Sequence, residues 1–127
     1  MLTAITHITM FVHDQDATLD FYKKLGFVVH TDANFDEMRW LTLCFPDKQD
    51  LELVVMKATT DAEKALVGKQ AGQSPLISLE SNDCPKDYEL LKAQGVEILG
   101  QPESMPWGIS MVIHDNSGNK IHIFQPA

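Results

Sequence analysis

Arginine is almost missing from this chain. Arg39 is the only one, and ten Lys and Arg face eighteen Asp and Glu, for a formal net charge of −8. Nucleic acids and anionic membrane surfaces are held by clustered Lys and Arg, so neither is an expected partner. Cysteine is also scarce. Cys44 and Cys84 make no CxxC pair and no disulfide framework, which fits a reducing, cytoplasmic setting. No stretch approaches about 18 consecutive apolar residues, and the start, Met1 to His7, lacks a basic segment followed by an apolar run. A membrane span or secretion signal is not expected. Glycine-rich phosphate loops, a serine nucleophile elbow and an HExxH helix are absent too. What remains is 127 residues with 44% hydrophobic and 22% charged content. That is ordinary for a globular chain, either one compact unit or two small modules sharing a core.

Pattern and punctuation give the elements. Ile5 to Val12 alternates β-branched and aromatic residues with polar ones, which predicts a strand. Ile8, Met10 and Val12 fall on one face; His7, Thr9 and Phe11 fall on the other. Asp14 or Asp16 offers a helix N-cap, and Gly26 sits where a helix stops. Strands follow over Phe27–Thr31, Arg39–Phe45 and Leu51–Met56, with Pro46 to Asp50 as a turn. Residues 58–74 read as a solvated linker with a short helical turn near Ala62–Leu66. Then the order returns: a strand over Leu76–Ser81, a cap at Asp83, a helix over Pro85–Gln94, a stop at Gly95. Strands over Val96–Leu99, Trp107–His114 and Lys120–Gln125 complete it, the last after the turn cluster Asp115-Asn116-Ser117-Gly118-Asn119.

Asp14 and Asp83 lie 69 residues apart (83 − 14), as do Gly26 and Gly95 (95 − 26), while Glu52 and His122 lie 70 apart. Self-similarity at a fixed offset marks a duplicated unit, neither copy of which could bury a sheet face alone. The fold expected is therefore α+β. It has two βαβββ modules, about residues 1–57 and 75–127, with helices outside and curved mixed sheets around a cleft. The faces opposite the apolar stripes carry His7 in the first strand, Glu52 in the fourth and His122 in the last. Two imidazoles and a carboxylate suit a first-row divalent ion, such as Zn, Ni, Mn or Fe, and leave coordination positions open for chemistry.

Four segments carry a resemblance. They are His7 to Asp14 (HITMFVHD), Phe21 to Phe27 (FYKKLGF), Pro106-Trp107-Gly108, and Asp115 to Ile121 (DNSGNKI). In this order they resemble the vicinal oxygen chelate superfamily of glyoxalase I, bleomycin and fosfomycin resistance proteins, and extradiol dioxygenases. The resemblance implies paired βαβββ modules, a homodimer, and a metal held by the first and fourth strands of each module. Carried onto this chain, the ligands are His7, Glu52 and His122. The remaining position falls at Leu76, which cannot coordinate, with Pro75 and Ser74 beside it.

Other side chains complete the expected site. Arg39 could grip a carboxylate or phosphate with two parallel hydrogen bonds. Trp40, Trp107, Phe11 and Phe124 could line a groove for a small molecule. Cys44 and Cys84 show no mark of an activated thiol and read as buried small hydrophobes. Two functions follow. One is a metal-assisted lyase, isomerase or oxygenase of glyoxalase type, with Glu52 abstracting a proton. The other is a metal-free protein that sequesters a small hydrophobic compound, with His7 and His122 hydrogen-bonding it.

Overall fold

A computed structural model describes all residues, 1–127. The chain is α+β, with two four-stranded mixed sheets and three helices in two compact units, residues 1–68 and 69–127.

In the first unit, β1 (His7–Val12) leads to α1 (Gln15–Lys24). Three strands follow: β2 (Val28–Phe35), β3 (Met38–Phe45) and β4 (Lys48–Lys57). Their order in the sheet is β1-β4-β3-β2, with β1 parallel to β4 and the other neighbours antiparallel. Of the two proposed N-caps, Asp14 is the one used, its side chain accepting from the Ala17 amide. Gly26 and, in the second unit, Gly95 end their helices at φ +99° and +79°, the left-handed conformation that favours glycine.

The alternation expected for β1 decides what α1 covers. Met10 and Val12 are fully buried, with Leu41, Leu43, Leu53 and Val55 from the neighbouring strands. Tyr22 of α1 is buried as well, and its hydroxyl donates to Met10 Sδ at 3.4 Å. Burying each such side chain stabilises the fold by about 1.5–3 kcal/mol. Gln15, in the first turn of α1, pins the helix to the sheet. Its Nε2 donates to the Arg39 carbonyl at 3.1 Å and the Val55 carbonyl at 2.9 Å.

The linker expected over 58–74 contains α2 (Asp61–Leu66), closed by a capping box between Thr60 and Glu63. In the second unit, β5 (Ile77–Glu80) leads to α3 (Cys84–Ala93). The strands β6 (Ile98–Met105), β7 (Gly108–His114) and β8 (Lys120–Pro126) follow, in the sheet order β5-β8-β7-β6. Asp83 caps α3. The turn before β8 is built on the buried Asp115, whose Oδ1 accepts from the amides of Ser117 and Asn119. Isoleucines 113, 121 and 123, with Met111, form the buried stripe.

Candidate functional site

The parallel register of β1 and β4 sets His7 directly opposite Glu52. Their side chains meet, with His7 Nε2 3.0 Å from Glu52 Oε2. Thr42, on β3, reaches the other oxygen, its hydroxyl donating to Glu52 Oε1 at 2.7 Å. His30 of β2 approaches the same oxygen, Nδ1 to Oε1 3.0 Å. One carboxylate thus gathers groups from all four strands of the first sheet. Its side chain is 14% exposed, against 40% for His7 and 31% for His30.

His30 was not among the residues expected at the site, because Phe27-Val28-Val29 is apolar on both faces and its own pattern does not say which face His30 shares. Strict alternation along β2 places it with Val28, whose partner Cys44 shares the face of Thr42 and Glu52, and would turn Thr31 away. The β2–β3 register instead runs Val29 to Leu43 and then Thr31 to Thr42, leaving His30 as an extra residue in a bulge. A bulge breaks alternation and re-aims a side chain, so Thr31 joins His30 on the Glu52 side, its Oγ1 2.8 Å from His30 Nδ1. Nothing in the residue pattern of β2 marks the bulge.

Trp40 joins this face, its ring 6.0 Å from that of His7, while Phe11 is half-buried on β1. Cys44 also lies within reach of Glu52. Burial first, and the Glu52 charge second, push its thiol above the usual range, which removes it as a thiolate nucleophile at neutral pH. Arg39 is spent inside the unit. Its Nε and Nη2 donate to the two oxygens of Asp32 at 3.0 and 2.9 Å, and its Nη1 to Asp16 at 2.7 Å. Gripping a ligand carboxylate would require breaking that bidentate pair.

In the second unit the partner of His122 differs from the one counted from the helix caps. The β5–β8 register places Ser78, not Leu76, opposite His122, and Ser78 Oγ lies 3.2 Å from His122 Nδ1. The count failed because the second unit is shorter between strand and helix. Seven positions separate His7 from Asp14, and five separate Ser78 from Asp83. Phe124 lies beside His122 with rings stacked at 6.0 Å. Trp107 is 65% exposed in the turn before β7.

The expected metal finds a poor fit. No group of three or more His, Cys, Asp or Glu side chains is disposed to hold an ion. Around Glu52, the nitrogens that would have to face an ion face the carboxylate instead, and Thr42 occupies it as well.

The family model for the Glyoxalase/Bleomycin resistance protein/Dioxygenase superfamily matches residues 4–123. An uncharacterized protein of Bacillus subtilis (strain 168), YurT, is 36% identical over 120 residues, covering 92% of this chain and 94% of its own. Among solved structures, UcmS2 superposes with a TM-score of 0.85 at 31% identity, over 98% of both chains. TnmS3, an antibiotic binding protein from Streptomyces sp. CB03234, superposes with a TM-score of 0.79 at 26% identity, over 99% of this chain and 98% of its own.

Proposed function

The chain belongs to the Glyoxalase/Bleomycin resistance protein/Dioxygenase superfamily, and from that premise we propose that it binds a planar small molecule without a metal ion. The capture face is the Glu52 side of the first sheet. One observation carries this reading: the Glu52 carboxylate is already satisfied by His7, His30 and Thr42. Polar groups satisfied by one another in this way form a pre-paired surface. The tilted Trp40–His7 ring pair beside it offers aromatic area to a flat ligand. TnmS3, which shares this fold, is an antibiotic binding protein, a function of the same kind. His122 and Phe124, stacked in the second unit, are proposed as a ligand-contacting pair of that unit on its own, and the functional species as a cytoplasmic homodimer.

The alternative, a metalloenzyme using His7, Glu52 and His122, is separated from this reading by one experiment. The protein is stripped with a chelator, reconstituted with Zn²⁺, Ni²⁺, Mn²⁺ or Fe²⁺, and assayed for bound metal. In parallel, it is titrated with a panel of polycyclic aromatic compounds while tryptophan fluorescence is followed. The expected result is saturable quenching that survives chelation and loses its main component in Trp40→Phe. Stoichiometric metal together with chelation-sensitive binding would overturn the proposal.

A further inference from the structure

Glu52 decides which nitrogen of His30 stays available. A carboxylate oxygen accepts and never donates, so the ring nitrogen 3.0 Å from Glu52 Oε1, His30 Nδ1, is the one that carries the proton. Thr31 Oγ1, 2.8 Å from the same nitrogen, then accepts from it as well. A neutral imidazole protonated at Nδ1 presents Nε2 as a lone-pair acceptor. In this protein Nε2 of His30 has no partner, and the side chain is 31% exposed. His7 offers no such atom. Its Nε2 donates to Glu52 Oε2, and its Nδ1, 2.9 Å from Thr6 Oγ1, accepts from that hydroxyl. The polar row therefore holds one unspent acceptor among its imidazoles.

We infer that His30 is the specificity-determining residue of the proposed site. Its Nε2 accepts a hydrogen bond from a hydroxyl or N–H carried by the planar ligand. Glu52 acts as the positioning residue that holds His30 in the Nδ1–H tautomer. This rests on the small-molecule reading above. The ligand class it names is a flat, mainly apolar compound with one hydrogen-bond donor at its edge. A site built to pair with such a donor disfavours an analogue that lacks it, since the partner group is then left unpaired.

Two measurements on the full chain test it. Side-chain ¹⁵N NMR of the histidines, with His30 assigned by its disappearance in His30→Gln, reads the tautomer directly. Nδ1–H is expected in the unsubstituted protein, relaxing to a mixture in Glu52→Ala. An Nε2–H tautomer in the unsubstituted protein would overturn the inference. Then 2-naphthol and 2-methoxynaphthalene, alike but for the hydroxyl proton, are titrated by NMR. The naphthol is expected to bind about tenfold more tightly, the effect of roughly one net hydrogen bond. That preference should vanish in both His30→Phe and His30→Gln, provided their backbone spectra superpose on the parent. Equal binding of the two probes overturns the role of His30 alone. If neither binds, the small-molecule reading falls with it.

Discussion

Arg39 shows how a lone arginine in an acidic chain is used. It bridges α1 to the β2–β3 hairpin by gripping Asp32 with two nitrogens and Asp16 with a third. The hydrogen bond from Arg39, more than its charge alone, holds the Asp32 carboxyl below the usual range, and the two aspartates push the guanidinium up. The sign of the pH effect follows. A carboxyl whose folded pKa is depressed stabilises the fold fully above its unfolded value of about 3.9, and loses that contribution as pH falls through the folded value. Arg39→Gln should therefore lower Tm at pH 7, modestly because the pair faces solvent. The gap from the parent should narrow as pH falls below the ordinary carboxylate range and Asp32 takes up its proton. Thermal unfolding followed by circular dichroism from pH 7 to pH 2 measures this. A gap that persists undiminished to the acid end would show that the residue acts through packing instead.

At the level of elements, the glycine that opens β7 sets how closely two strands approach. Gly108 has φ +151°, and a Cβ there would run into the Gln125 carbonyl oxygen and come within 2.8 Å of the Phe124 ring. Phe124 is the ring against which His122 stacks. Gly95, in contrast, has φ +79° and nothing within 4 Å of the same hypothetical atom. Gly95→Ala should cost only the left-handed backbone term, about 1–2 kcal/mol. Gly108→Ala should add an overpacking cost of about 1–3 kcal/mol and shift the His122 ring resonances. Urea midpoints would rank the two, and a Gly95 variant less stable than the Gly108 variant would contradict the packing argument. The same elements show what the sequence made legible. Caps, helix stops and element order were readable because Asp14 and Asp83 act through side chains on amides three residues on, and Gly26 and Gly95 through their own backbone. Register is a property of two strands together. So the β2–β3 pairing that sets His30 beside Glu52, and the shortened connection that makes Ser78 the partner of His122, leave no trace in either segment alone.

Across the whole molecule, duplication has preserved the cores and let the faces diverge. Leu43 opposite Leu53 in the first unit has its counterpart in Met111 opposite Ile123 in the second, because each βαβββ unit needs an apolar stripe beneath its helix. On the other face, Glu52 with His7, His30 and Thr42 stands against His122 with Ser78 alone. The irregular stretch of β6 carries Gly100, Gln101 and Pro102 where β2 has its single extra histidine. The carboxylate-centred network is therefore confined to the first unit. What the units do share is an exposed apolar hairpin tip, Phe35 and Met38 in one, Met105 and Trp107 in the other, from 41 to 65% exposed. The homodimer proposed above would give these exposed apolar side chains a partner. Sedimentation at micromolar concentration should then return a species of twice the chain mass. Met105→Ser combined with Trp107→Ser should shift it toward monomer without lowering the thermal stability of the isolated chain, since both side chains already face solvent. An unsubstituted protein that sediments as a monomer would end the dimer reading and leave those tips as simple surface.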